Sequence, residues 1–241
     1  MRFLNAGDSA LVVEFGNEIS EGINREIKFV TDALDRAKLP GVEDLTPTYR
    51  SILVCFDPLR ISAGDIIAFV NGILKGASAS GVSGGEVIEI PVYYGGETGP
   101  DLDFISEHTG LSREEVIRLH TSVEYLIYMI GFTPGFPYLG GMPKELTTPR
   151  LQKPRMLIPA GSVGIAAGQT GIYSVESPGG WQLLGRTPVK IFDSRREQPF
   201  LLSAGGYLKF VSISKEEYDE IEKIEAAGVY QPKRYAKQGV K

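Results

Sequence analysis

The sequence predicts an α+β protein in two parts, an α/β segment followed by a β-rich barrel or sandwich. Three observations carry this prediction. The first ninety or so residues alternate strand-like runs with helix-spaced apolar residues, and residues 123–213 break into short β-prone runs separated by Gly and Pro. The 29 glycines and 15 prolines among 241 residues supply many tight turns.

Residues 10–15 read as a strand. Ile19, Ile23, Ile27, Val30 and Leu34 then recur at spacings of four and three, one face of a helix that ends near Leu39-Pro40-Gly41. Residues 42–46 and 51–56 read as strands parted by the turn-prone Pro47 region. A second helix starts at Ser62, whose side chain caps while Asp65 supplies the acidic partner, and Ile66, Phe69, Val70, Ile73 and Leu74 form its buried stripe. GASASGVSGG breaks it, and residues 87–93 alternate as another strand. The order β-α-β-β-α-β is the split βαβ pattern of ferredoxin-like domains, and its completion sets a domain boundary near Tyr93.

Beyond YYGGETGPDL, Ser112 and Glu115 have capping-box spacing before Val116, Ile117 and Leu119. The β-rich region follows. A last helix, with Ser214 and Glu217 as its capping pair, carries Tyr218, Ile221 and Ile224 on one side. Residues 230–241 read as a solvated basic tail holding Lys233, Arg234, Lys237 and Lys241.

Composition excludes several classes. A hydrophobic content of 42% with 23% charged residues is that of a globular protein, and the net charge of −5 lacks the basic footprint of a nucleic-acid binder. No apolar run spans a bilayer, and the N-terminus has no signal-peptide pattern. The lone cysteine, Cys55 in SILVCF, forms no intrachain disulfide, fits a reducing cytoplasm and reads as a core residue. GxxxxGK[ST], GxGxxG, CxxC and HExxH are all missing, so neither a nucleotide loop nor a metal site is expected on this chain.

Two segments stand out. In GFTPGFPYLGGMP, residues 131–143, proline stiffens the backbone and glycine supplies unusual dihedrals around Phe132, Phe136 and Tyr138. Such a loop either presents rings on a preshaped surface or packs them as a barrel crossover. In IPAGSVGIAAGQTGIYSVESPGGWQLLGRTP, Gly161, Gly164, Gly168 and Gly171 interrupt β-prone sequence at spacings of three, four and three, a sign of bends or of close approach by another backbone or ligand. Within it Trp181 reads as core, while Gln169 and Tyr173 are candidate polar contacts.

Of the two histidines, His108 falls at a helix end, and His120 closes the helix before the strand that leads into the aromatic loop. There His120 is either a structural imidazole or an acid–base group. Arg150, Arg155 and Arg186 lie in turn-rich sequence, as surface groups or as forked contacts to a carboxylate or phosphate.

On GFTPGFPYLGGMP, TPR, KPR, the glycine-rich segment, the N-terminal pattern and IPVYYGGETGPDL, the chain resembles the family of KipI and the 5-oxoprolinase B subunits, also called allophanate hydrolase subunit 1. The resemblance covers essentially the whole chain. It implies a ferredoxin-like domain at residues 1–93, a cyclophilin-like β-barrel at 94–229 and the tail at 230–241, without prolyl isomerase activity. It also implies the B component of a heteromeric ATP-dependent 5-oxoprolinase, with 5-oxoprolinase subunits C and A as partners, 5-oxoproline as the lactam substrate, and ATP held by a partner or a shared interface. The family motif maps His120 and Arg155 to catalytic roles. It maps Phe132, Phe136, Tyr138, Gln169, Tyr173 and Arg186 to substrate binding. The alternative within the family is an inhibitor that binds a sporulation sensor histidine kinase.

Overall fold

The computed structural model describes residues 1–18, 20–76 and 85–237. Two units divide the chain, Met1–Ser83 and Gly84–Lys241.

The first unit runs β1 (Arg2–Asn5), β2 (Ala10–Glu14), α1 (Glu21–Ala37), β3 (Val42–Pro47), β4 (Ser51–Phe56) and α2 (Ala63–Gly76). Its sheet has the order β1-β2-β4-β3, with antiparallel pairing throughout. Strand alternation sends Leu11, Val13, Ile52, Val54 and Phe56 to one face, where Ile27, Val30 and Leu34 of α1 and Ile66 and Val70 of α2 cover them. Each such side chain contributes about 2 kcal/mol on burial.

The predicted cap of the second helix is realised, with Ser62 and Asp65 capping each other's backbone reciprocally. At α1 the cap is Ser20, which the sequence reading did not name and which accepts from the Ile23 amide at 3.2 Å. Ile19, the first member of the predicted stripe, lies outside the described residues, as does most of the GASASGVSGG break.

The predicted β-α-β-β-α-β order is corrected at both ends. The fourth strand of this sheet is β1, which precedes β2 in a hairpin and pairs Phe3 with Val13 and Leu4 with Val12. Residues 87–93 belong to the second unit, so the boundary near Tyr93 moves to Ser83/Gly84. Their alternation looked like a half-buried strand, but β5 (Glu86–Tyr94) has partners on both sides, with Val87, Ile90 and Val92 fully buried.

The second unit continues with α3 (Leu102–Thr109), α4 (Arg113–Thr121), β6 (Glu124–Ile130), β7 (Pro137–Gly140) and a 3₁₀ turn at Lys144–Leu146. Then come β8 (Arg155–Ile158), β9 (Ser162–Ala166), β10 (Gln169–Ile172), β11 (Ser177–Gly179), β12 (Gln182–Arg186), β13 (Tyr207–Ser212), α5 (Lys215–Ala226) and β14 (Arg234–Ala236). Strands β12-β9-β10-β7-β6-β13-β5 form a sheet that closes through β12–β5 pairing, Gly185 with Tyr94 and Arg186 with Tyr93. This is a seven-stranded barrel. Ile90, Ile127, Leu139, Val163, Ile172 and Leu208 are among the side chains that fill it. Strands β8 and β11 make a separate two-stranded ribbon.

Ser214 and Glu217 form the predicted capping box of α5. Ser112 caps α4 through the Glu115 amide at 3.2 Å, but the Glu115 carboxylate turns instead to Arg118. The tail is also corrected. Described to residue 237, it adds β14 antiparallel to Glu86–Ile88 of β5, pinned by Lys233 on Glu89 at 3.0 Å and Arg234 on Glu86 at 2.6 Å. Lys233 and Arg234, two of the basic residues that suggested a solvated end, are the ones that meet these carboxylates.

Candidate functional site

The 131–136 loop turns tightly between β6 and β7. Gly131 N–H donates to Phe136 O at 3.0 Å and Phe136 N–H to Thr133 O at 3.1 Å, while Ser174 reaches the Pro134 carbonyl at 2.6 Å. This frame holds Phe132 at φ +67°, a left-handed conformation that costs a residue with a Cβ on the order of 1–2 kcal/mol. The residue is 67% exposed.

Phe136 is the hub of the site. Its ring meets Phe132 at 5.7 Å, Tyr138 at 5.1 Å, Tyr173 at 5.5 Å and Trp181 at 5.5 Å, mostly edge to face. Strand alternation explains the gathering. Leu139 and Ile172 fill the barrel, so Tyr138 on β7 and Gly171 on β10 point to its outer face. Gly171 is needed there, since a Cβ would lie 3.1 Å from the Trp181 ring and 3.2 Å from that of Phe136. Gln169, two residues before Gly171 on the same strand, shares that outer face.

Burial raises the Tyr173 phenol above its usual range, and a Trp181 backbone hydrogen bond and the charges of Arg150 and Arg155 oppose the rise. Burial likewise raises Tyr138, against the pull of Arg150. Two guanidiniums therefore stand beside the phenols of the cluster.

Arg155, at the start of β8, donates from Nη2 to Asp101 Oδ1 at 2.7 Å and from Nη1 to the Trp181 carbonyl at 3.4 Å. Its side chain is 30% exposed, so the guanidinium faces solvent beside the rings. The site thus combines an apolar aromatic wall, a fixed cation and an amide, which suits a small planar molecule carrying a carboxylate.

His120 and Arg186 are placed elsewhere. His120 is fully buried inside the barrel, with Nδ1 2.8 Å from the Tyr94 hydroxyl, Nε2 2.8 Å from the Thr170 hydroxyl and its ring stacked 4.5 Å from Phe210. Burial lowers its pKa from 6.5 to about 3. A neutral ring with both nitrogens engaged ties α4 to β5, β10 and β13, and does not face a substrate arriving from solvent. Arg186 donates from Nε to Ala160 O at 2.8 Å. It lies at the end of β12 away from Trp181, roughly 16 Å along the strand.

Asp101 escaped the sequence reading. Nothing local marks it, because its partners, Arg155 and the Leu183 amide, are 54 and 82 residues away.

Residues 1–202 match the family described as carboxyltransferase domain, subdomain C and D. The 5-oxoprolinase B subunit of Bacillus subtilis (strain 168) is 42% identical over 222 residues, covering 88% of this chain and 92% of that protein. The 5-oxoprolinase B subunit of Escherichia coli O157:H7 is 40% identical over 205 residues, covering 85% of this chain and 93% of that protein. Among solved structures, TTHA0988 superposes with a TM-score of 0.76 at 39% identity over 86% of this chain, which spans 40% of the length of that one. The chain belongs to the family of the carboxyltransferase domain, subdomain C and D, together with the 5-oxoprolinase B subunits.

Proposed function

We propose that this chain is the B component of a heteromeric, ATP-dependent 5-oxoprolinase that opens the lactam of 5-oxo-L-proline to L-glutamate together with subunits A and C. The observation that carries the reading is the 42% identity to a 5-oxoprolinase B subunit across 92% of that protein's length. The aromatic wall and Arg155 support it, since the substrate is a small flat ring bearing a carboxylate. No comparable observation favours an inhibitor of a sensor histidine kinase.

Water must add across the lactam C–N bond, with the carbonyl carbon becoming the new carboxylate and the nitrogen leaving as the amine. Amide resonance makes that carbon a poor electrophile. Transfer of the ATP γ-phosphoryl group to the lactam oxygen releases ADP and makes that carbon a better electrophile. Water adds to it, the C–N bond breaks with the nitrogen leaving as the amine to give an acyl phosphate, and a second water hydrolyses that acyl phosphate to glutamate and phosphate. We assign ATP to a partner or a shared interface, because the sequence carries neither a Walker loop nor GxGxxG.

Within the site, Arg155 takes the carboxylate, Phe132, Phe136, Tyr138 and Tyr173 contact the ring, and Gln169 bonds an amide or carboxylate group. His120 holds the barrel interior behind it. The first unit is taken as ferredoxin-like with its edge strand supplied by β1, and the second as a cyclophilin-like barrel. We place the protein in the cytoplasm on its lone cysteine. Among the described residues, no helix is long and apolar enough to cross a membrane.

The test is to co-purify the tagged chain with its native partners and measure ATP-dependent loss of 5-oxoproline. Turnover by the complex, and none by the isolated chain, is the expected result. A complex without turnover, or full turnover by the chain alone, overturns the proposal.

A further inference from the structure

We infer that Asp101 is the positioning residue of this site, fixing where Arg155 presents its remaining N–H groups to the substrate carboxylate. This inference rests on the reading of Arg155 given under Proposed function.

Asp101 occupies the N-cap position of α3, where an aspartate ordinarily accepts from an amide of the first helical turn. Here it makes no such bond. Its carboxylate turns to the barrel, with Oδ2 accepting from the Leu183 amide at 2.6 Å and Oδ1 from Arg155 Nη2 at 2.7 Å. Asp101 N–H returns a bond to Leu183 O at 3.2 Å, so the two residues are locked in both directions. The lock sits where the β12–β9 register shifts between Leu183 and Gly185, a bulge that leaves an amide for a side chain to satisfy. Gly99 lets the chain approach this closely, since a Cβ there would collide with the Leu184 carbonyl.

The burial of the pair is lopsided. The Asp101 side chain is 11% exposed and that of Arg155 is 30% exposed, whereas Arg118 and Glu115 on α4 are 63% and 39% exposed. A buried carboxylate with both oxygens engaged is a fixed anchor, and the guanidinium it grips keeps donors directed at solvent. The second grip is on the Trp181 carbonyl, the residue whose ring packs against Phe136. The cation is thereby fixed relative to the aromatic wall, and a shift of about 1 Å there degrades binding geometry.

The test uses the complete complex of this chain with subunits A and C, measuring KM and kcat for 5-oxo-L-proline and the thermal midpoint. Asp101→Asn keeps an oxygen for the Leu183 amide but loses the charge facing Arg155. We expect KM to rise about tenfold with kcat within about twofold of wild type. Arg155→Lys should raise KM similarly, and the double variant should raise it no further than the larger single change, because Asp101 acts through Arg155. Asp101→Glu should recover part of the loss. An Asp101→Asn variant with unchanged KM, or effects that add in the double variant, overturns the inference while Arg155 stands. Should Asp101→Asn fail to assemble, Asp101→Glu combined with Arg155→Lys decides by the same additivity criterion. Unchanged KM in Arg155→Lys, or no turnover by the wild-type complex, overturns the site reading and this inference together.

Discussion

Thr170 holds His120 in a single tautomer. The Thr170 hydroxyl donates its proton to the Gly164 carbonyl at 3.1 Å, so its oxygen accepts from His120 Nε2 at 2.8 Å. Nδ1 is then the acceptor for the Tyr94 hydroxyl at 2.8 Å. The imidazole is a neutral crosslink within the barrel.

Replacing His120 by Ala should therefore cost stability first. It opens an interior void and leaves the Tyr94 hydroxyl without its acceptor, a loss of about 3–5 kcal/mol. The thermal midpoint should fall on the order of 10 °C. A His120→Ala protein with the wild-type midpoint but no turnover in the complex would return this residue to chemistry.

The same burial predicts a pH dependence. Unfolded, the ring binds a proton as pH falls through 6.5, while in the folded chain it binds none until about pH 3. The unfolded state thus holds the extra proton between those values, so the contribution of His120 is complete above pH 6.5 and is lost as pH falls toward 3. One proton limits the slope to about 1.4 kcal/mol per pH unit. Urea midpoints between pH 6.5 and about 4 should fall more steeply for wild type than for His120→Gln. Parallel profiles would contradict the assignment.

Gly171→Ala should disturb the aromatic wall while leaving the barrel closed. The added methyl presses on Phe136 and Trp181, with a cost of about 1–3 kcal/mol. Trp181 is the sole tryptophan, so intrinsic fluorescence reports the change directly. We expect a red-shifted emission with far-ultraviolet circular dichroism unchanged, and an unshifted spectrum would show that the rings do not pack as described.

Phe132→Gly separates local strain from function. Relief of the left-handed backbone and the added freedom of glycine nearly cancel, so stability should stay within about 1 kcal/mol of wild type. Turnover by the assembled complex should drop as the exposed ring is lost. Unchanged turnover would remove Phe132 from the site.

Local signals were readable in the sequence because their physics spans only a few residues. The caps at Ser62, Ser112 and Ser214 join groups three residues apart, and the helical stripe through Ile27, Val30 and Leu34 needs only the helix period. The Gly/Pro-punctuated runs announced short strands in the same way, and the motif around Phe132, Phe136, Tyr138 and Tyr173 marked residues that do come together around Phe136. Strand partnership was decided only in three dimensions. Nothing within residues 87–93 distinguishes the edge of the first sheet from the seam of a barrel, and β1 has too little burial of its own to declare itself. The roles of single polar residues were decided there as well. Read along the chain, His120 closes a helix and Arg155 lies in turn-rich sequence, each open to a structural or a functional role, yet barrel closure buries one among Tyr94, Thr170 and Phe210 and leaves the other gripped by Asp101 at the surface. Solvation and charge pairing depend on neighbours distant along the chain, such as Tyr94 for His120 and Asp101 for Arg155, 26 and 54 residues away, and only the folded chain supplies those neighbours.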